Sequence, residues 1–362
     1  MSKFNIVKVQ SVVSETPDAV SVSFEIPDSL LDGYQYKPGQ YTTLRLKING
    51  ELVNRSYSFC SSPYAGEPMT IAVKKVEGGK GSNFINDVLK PGMDIEVMEP
   101  MGNFHSVLDA NNEKLYVLFG GGSGITPLFS ILKSVLIKEP KSKVVLFYGN
   151  RDTKSIIFRK QLDELAGKNP DRLKVVYILD KEEEGWAGYT GFVMKDMALR
   201  LLRENTNLNF QHAEFFICGP TPMMKEVEAA VAVLGVPKER THIEYFTAKA
   251  DEDKKAADVG ATVVSEVPFT GKTKVKIIYD GNEVEFDVTE KETILHAALD
   301  AGYDPPYSCM VAACCTCRAK LIAGKVEMDD RESLTDGEIA KGYVLTCQAH
   351  PKSNGIILNY DL

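Results

Sequence analysis

The chain has 362 residues, 44% of them hydrophobic and 25% charged, with a formal net charge of −8 at pH 7. This is ordinary globular composition, and the length allows two or three domains, each with its own core. The acidic balance argues against a nucleic-acid partner. No apolar run reaches the roughly 18 residues of a membrane-spanning helix. The N-terminus lacks the apolar core of a signal peptide, so the expectation is a cytoplasmic protein with no membrane span.

Residues 1–107 read as all-β. Short alternating segments such as Val20-Ser21-Val22-Ser23-Phe24 and Tyr41-Thr42-Thr43-Leu44-Arg45-Leu46 are punctuated by Pro38-Gly39 and Asn49-Gly50, which predicts a small antiparallel β-barrel. One helix is expected from Ser82 to Leu89, with Ser82 as its N-cap. Arg55-Ser56-Tyr57-Ser58 lies in one alternating segment and by itself is an unremarkable strand. Gly79-Lys80-Gly81-Ser82 precedes the helix, where backbone N–H groups can hold an anion.

Residues 108–246 change to a strand–helix rhythm, which predicts a doubly wound α/β domain. The apolar run Leu115-Tyr116-Val117-Leu118-Phe119 has the character of a strand buried on both faces. It enters Gly120-Gly121-Gly122-Ser123-Gly124-Ile125-Thr126-Pro127 and then an apolar helix from about Leu128 to Ile137. Strand followed by glycine loop and helix is the context that gives such a loop meaning, although its spacing is not G-x-G-x-x-G. Alone it is as often a tight turn as a nucleotide site. A further strand ends at Cys218-Gly219-Pro220. Arg151 follows the second strand, where dinucleotide folds meet the adenosine ribose; an exposed cation there is equally an ordinary surface charge.

Residues 247–271 are charged and Ala-rich without apolar periodicity, which reads as a mobile or loosely helical linker. Residues 272–362 form the last unit, an α+β domain with a hairpin around Asp280-Gly281 and a helix at 293–299. His296 on that helix is expected to pack at the core or its edge rather than bind a metal. Five of the seven cysteines fall between 309 and 347. Cys309, Cys314 and Cys317 follow a C-x4-C-x2-C spacing, with Cys347 completing a set of four. That is the plant-type grammar of a [2Fe–2S] cluster, and the two short-spaced pairs usual for structural zinc are absent. Cys315 is extra: a spare ligand or, more in keeping with free thiols generally, a bystander. The residues between the first two ligands, Met310 to Ala313, include no glycine. A loop that turns N–H groups towards sulfur with φ > 0 is costly for residues with a Cβ. A different backbone path, or weaker cluster assembly, is therefore expected.

Taken together, R-x-Y-S at 55–58, G-G-G-x-G-x-T-P at 120–127 and C-G-P at 218–220 resemble the ferredoxin–NADP reductase family. The last ~90 residues resemble a plant-type ferredoxin of the β-grasp fold. The resemblance implies that Arg55 pairs with the flavin diphosphate, that Tyr57 lies along the flavin and that Ser58 faces its reactive edge. Ser56, Gly81 and Ser82 belong to the same flavin-binding stretches. It implies that Gly120, Gly121, Gly122, Gly124, Thr126 and Pro127 hold the pyridine-nucleotide diphosphate, with Cys218, Gly219 and Pro220 beside the nicotinamide. Glu244 and Phe246 are carried over as the acidic and aromatic residues near the flavin, and Ser58, Cys218 and Glu244 as the catalytic set. FAD is expected over FMN, with NADPH or NADH as donor; Arg151 with Lys154 nearby leans towards NADPH. Among such three-domain reductases the chain most resembles those of phenylacetyl-CoA epoxidase systems, which implies a di-iron oxygenase component as electron acceptor. A ring-hydroxylating oxygenase, a ferredoxin or a flavodoxin as acceptor is the alternative. A redox-sensing module without sustained turnover is a reading of another class, separated from these by whether cytochrome c is reduced.

Overall fold

The computed structural model describes residues 4–246, 254–261 and 268–362. Six antiparallel strands form the first unit: β1 (Phe4–Thr16), β2 (Ala19–Glu25), β3 (Tyr41–Ile48), β4 (Glu51–Ser58), β5 (Thr70–Lys74) and β6 (Asp94–Met98). They lie in the order β4-β3-β6-β1-β2-β5, and a bridge between Phe59 and Ile71 joins the two ends into a barrel. Leu44 and Leu46 of β3 point into its core with Val22, Phe24 and Val97. The period-2 rule then turns Tyr41, Thr43 and Arg45 outward. Even so, Tyr41 and Thr43 are buried, so something else covers that face. Helix α1 (Lys80–Asp87) sets Ile85 in the barrel core. It begins two residues earlier than expected, after Gly79. Ser82 is therefore not the N-cap; inside the first turn, its hydroxyl accepts the Val76 N–H at 3.1 Å.

The second unit alternates β7 (Leu115–Gly121), α2 (Ile125–Lys138), β8 (Lys143–Asn150), α3 (Arg159–Lys168), β9 (Leu173–Leu179), β10 (Tyr189–Thr190), α4 (Lys195–Asn205), β11 (Ala213–Cys218), α5 (Thr221–Val233) and β12 (Thr241–Glu244). All pairings are parallel, in the order β10-β9-β8-β7-β11-β12. Alternate residues of β7 feed two cores, as a sheet covered on both sides requires. Tyr116 and Leu118 pack with Leu128, Leu132 and Val135 of α2. Val117 and Phe119 pack with Leu201 of α4 and Val227 of α5.

The third unit contains β13 (Ala257–Gly260), β14 (Lys272–Tyr279), β15 (Asn282–Thr289), α6 (Ile294–Asp300), β16 (Arg318–Ala323), β17 (Lys325–Met328), α7 (Asp336–Ala340), β18 (Tyr343–Leu345), β19 (Ala349–Pro351) and β20 (Ile356–Asn359). A mixed sheet β15-β14-β20-β16-β18 is accompanied by the small sheet β13-β17-β19. Part of the expected linker is thus ordered structure. Residues 257–260 pair with β17, and the Lys255 N–H donates to Asp330 Oδ1. Four residues are too few to show periodicity, and their partner strand lies far along the chain. The remainder at 247–253 and 262–267 is outside the described residues. His296 is exposed rather than packed, its Nδ1 2.8 Å from the hydroxyl of the N-cap Thr293.

Candidate functional site

In the parallel sheet the strand order reverses between β7 and β11, the topological switch point where α/β sheets open a ligand crevice. Register sets Gly120, Cys218 and Glu244 side by side across the carboxyl ends of β7, β11 and β12. The glycine loop and the Cys-Gly-Pro turn pack backbone against backbone. A Cβ on Gly124 would stand 2.1 Å from the Cys218 carbonyl oxygen, and one on Gly121 would stand 2.5 Å from Pro220 Cδ. Gly122 has φ +52°, also suited to glycine. The loop passes through a 3-10 turn at Gly122–Gly124 into α2, whose first N–H groups have no helical partner. Thr126 Oγ1 donates to Ser123 O at 3.1 Å, and Pro127 lies within the first turn. Burial, and then the neighbouring Glu244, push the Cys218 thiol well above its usual range, so it stays S–H.

Arg151 extends past β8 and shares its charge between Asp152 at 3.2 Å and Asp18 of the barrel at 3.7 Å. Its side chain is 65% exposed, so the guanidinium still faces solvent. At the end of β12, Phe246 is 43% exposed, whereas Tyr245 is buried in the sheet's core.

On the barrel, Arg55 and Tyr57 share one side of β4 and converge on the start of α1. A Cβ on Gly81 would come within 2.9 Å of Arg55 Cγ and 3.4 Å of Tyr57 Oη, so the missing side chain keeps this approach open. The Arg55 guanidinium donates to Asn54 O at 2.7 Å and forms no ion pair among the described residues. Ser58 Oγ donates to Glu244 Oε2 at 3.2 Å, tying barrel to parallel sheet. Burial pushes the Glu244 carboxyl up to about 8. A cavity of 190 Å³ opens here where all three units meet. Tyr41, Phe104, Glu244, Ala313, Cys314 and Leu334 are among its walls.

Cys309, Cys314, Cys317 and Cys347 come together as two pairs. Cys309 acts most strongly on Cys314, and Cys317 on Cys347. Within each pair the interaction of the two thiols holds Cys314 and Cys347 below the ordinary thiol range and pushes Cys309 and Cys317 above it. Two-plus-two grouping suits a binuclear cluster, in which each iron takes two protein thiolates. The Val311 N–H approaches Cys309 Sγ at 3.4 Å and Gln348 Nε2 approaches Cys347 Sγ at 3.6 Å. The expected detour of the glycine-free loop does not occur. Met310 and Ala312 adopt φ +59° and +57° despite their Cβ atoms, and Gln348 Nε2 holds the Met310 carbonyl at 3.3 Å. Cys315 stands outside both pairs, buried against Tyr41 with Sγ 3.2 Å from the phenol oxygen.

Three family models match in series: an oxidoreductase FAD-binding domain at residues 6–106, an oxidoreductase NAD-binding domain at 118–229 and a 2Fe-2S iron-sulfur cluster binding domain at 277–352. The chain is 36% identical over 362 residues to a subunit of the 1,2-phenylacetyl-CoA epoxidase from Escherichia coli, covering 100% of this chain and 99% of that one. It is also 36% identical to the ferredoxin reductase component of 3-ketosteroid-9-alpha-monooxygenase from Rhodococcus rhodochrous, covering 99% and 97%. The chain belongs to the oxygenase-reductase family. Phthalate dioxygenase reductase shares the three-part fold, with a TM-score of 0.57 at 22% identity and 98% coverage of both chains. This oxygenase reductase is therefore an oxidoreductase with FAD, a pyridine nucleotide and a [2Fe–2S] cluster as its redox groups. No helix among its described residues is long and apolar enough to cross a membrane.

Sequence reasoning missed the residues that dock the reductase's third unit on its barrel. The Tyr41 hydroxyl accepts the Cys315 N–H at 2.9 Å, and Thr43 Oγ1 meets Thr316 Oγ1 at 3.1 Å. Asn54 Nδ2 donates to Tyr307 O at 3.0 Å, Ser56 Oγ donates to Ser308 Oγ at 2.9 Å, and Arg45 pairs with Asp304 at 2.9 Å. Ser56, expected at the flavin, thus spends its hydroxyl on the cluster loop. The available signal was a run of polar side chains on the outward face of β3 and β4.

The cluster loop and Glu244 each give a testable outcome. Glycine at 312 would relieve about 1 kcal/mol of left-handed strain while removing a buried methyl worth about 0.8 kcal/mol. Ala312→Gly is therefore expected to leave iron and sulfide content unchanged, whereas the branched side chain of Ala312→Val lowers it. Equal content in all three proteins contradicts the loop geometry. For Glu244, folding raises the carboxyl to about 8 from the usual carboxylate range. The folded chain then holds a proton that the unfolded chain releases, and this group's contribution to stability falls as pH rises through that interval. Glu244→Gln should flatten the corresponding part of the Tm–pH profile; an unchanged slope argues against it.

Proposed function

We propose that this reductase takes hydride from NAD(P)H in the crevice of residues 108–246 and delivers electrons singly, through a cluster in residues 272–362, to a di-iron oxygenase component of the phenylacetyl-CoA epoxidase kind. The observation that carries it is the junction at which Glu244 of the nucleotide unit, Tyr41 and Phe104 of the flavin unit and Cys314 of the cluster loop line one cavity. When bound, FAD exchanges a two-electron donor for a one-electron carrier, chemistry that belongs to the cofactors themselves.

The chain's own residues bind and position. Arg55, a planar bidentate cation, holds the flavin diphosphate together with the N–H groups at Gly81 and Ser82. Tyr57 lies along the flavin ring. Gly120, Gly121, Gly122, Gly124, Thr126 and Pro127 admit the nucleotide diphosphate to the start of α2, with Cys218, Gly219 and Pro220 at the nicotinamide end and Arg151 at the adenosine end. Ser58 and Glu244 close the junction with a hydrogen bond, and a protonated Glu244 adds no charge there. Phe246, half out in solvent beyond β12, is the aromatic residue assigned to the flavin side. Cys309 with Cys314 and Cys317 with Cys347 each hold one iron. The full-length likeness to the Escherichia coli epoxidase component supports the choice of acceptor.

Removing the Arg55 charge should cost about 1.5–3 kcal/mol of charge-assisted hydrogen bonding. Arg55→Ala is thus expected to weaken FAD binding at least tenfold in a fluorescence titration, and unchanged affinity refutes the assignment. Cys347→Ser should abolish the EPR signal of the reduced cluster and the reduction of purified oxygenase component, yet keep NAD(P)H-dependent dye reduction within about twofold. Continued oxygenase reduction without that signal would show that electrons leave by another route.

A further inference from the structure

A line of hydroxyl groups crosses from the flavin unit to one iron ligand. Ser56 Oγ lies 3.0 Å from Thr43 Oγ1, Thr43 Oγ1 lies 3.1 Å from Thr316 Oγ1, and Thr316 Oγ1 lies 3.4 Å from Cys314 Sγ. At the other end Ser56 donates to Ser308 at 2.9 Å. Thr43, Thr316, Ser308 and Cys314 are all buried. Tyr41 flanks the line, with its hydroxyl 3.5 Å from Thr316 Oγ1 and 2.9 Å from the Cys315 N–H that it accepts.

Each hydroxyl has a single proton to donate, so the line has a direction. With a free thiol, Cys314 donates to Thr316 and Ser56 donates to Ser308, while in the Thr316–Thr43 and Thr43–Ser56 pairs either hydroxyl can be the donor. A thiolate bound to iron has no proton to give. Thr316 is then free to turn its proton to the sulfur, and the same distances let Thr43 donate to Thr316 and Ser56 donate to Thr43. Only C–O bonds rotate; no heavy atom has to move. In that state Thr43, a barrel residue, polarises the hydroxyl that donates to an iron ligand, and chained hydrogen bonds strengthen one another.

We propose that Thr43 is a positioning residue for the cluster: through Thr316 it reinforces the hydrogen bond to Cys314 and raises the cluster's reduction potential, so that potential belongs to the docked reductase and not to the ferredoxin unit alone. Hydrogen bonds to ligand sulfurs stabilise the extra negative charge of the reduced cluster, and outer partners that orient them tune the metal. The inference rests on the assignment of Cys314 as a ligand.

The test is a potentiometric titration of the full-length protein loaded with FAD and cluster, following the cluster by EPR and the flavin by absorbance. Thr43→Val should keep FAD and cluster content. At a fixed potential it should lower the ratio of reduced to oxidised cluster by about three- to tenfold, the scale of one neutral hydrogen bond, with the flavin couple unmoved. Thr43→Ser should restore the wild-type ratio. An unmoved cluster couple in Thr43→Val, or a shift that Thr43→Ser fails to reverse, overturns the proposal. If Thr43→Val does not assemble, Thr316→Val decides, with a shift of the same sign expected and no shift overturning it. A Cys314→Ser protein with an unaltered cluster signal would instead remove the ligand assignment beneath it.

Discussion

The ferredoxin unit's core does not end within its own stretch of sequence. Tyr41, on the outward face of a barrel strand more than 250 residues earlier, packs into the same cluster as Cys314, Cys315, Cys317 and Cys347. Its hydroxyl accepts the Cys315 N–H at 2.9 Å. An unpaired buried N–H is expensive, so the seat on the barrel must supply this acceptor where it covers the cluster loop. Thr43, Asn54 and Ser56 add three more polar contacts to the same loop. The cluster ligands are thereby held against the strands that carry Arg55, Tyr57 and Ser58.

The other interface is built differently. Phe104 of the barrel stands edge-on to Phe216 of the parallel sheet, with ring centroids 5.2 Å apart. Ser130 of α2 donates to the Ser61 carbonyl, and Ser134 pairs with Ser62. These contacts bring the switch point of the sheet to the flavin strand, where Ser58 meets Glu244. Two independent docking surfaces thus bring the parts of an oxygenase reductase to one small cavity. Positioning is what the polypeptide contributes to chemistry carried by its cofactors.

Much of this could be read from sequence because it rests on local chemistry. Cysteine spacing identifies a cluster loop because the thiolates must converge. The glycine run and Cys218-Gly219-Pro220 are legible because Gly121, Gly124 and Gly219 lie where a Cβ would collide with the opposing turn, and Gly122 holds a positive φ. The barrel and doubly wound sheet follow from period-2 alternation and from strands apolar on both faces. What stayed hidden was set by distant partners. Nothing local distinguishes Thr43 or Asn54 from any outward polar strand residue, and their burial comes from residues 304–316. Strand β13 depends on β17 for its register. Met310 and Ala312 hold left-handed φ values that their residue types disfavour, because surrounding contacts determine the loop. The pairing of Arg151 with Asp18 crosses between units and leaves no trace in either motif.

Electrons must pass from the nucleotide crevice to the four-cysteine loop within one chain. An anaerobic titration of the reconstituted protein with NADH or NADPH, followed together by absorbance and low-temperature EPR, addresses this directly. The expected result is bleaching of the flavin band accompanied by a reduced-cluster signal approaching one spin per chain. A flavin that bleaches fully while the intact cluster stays oxidised would contradict it.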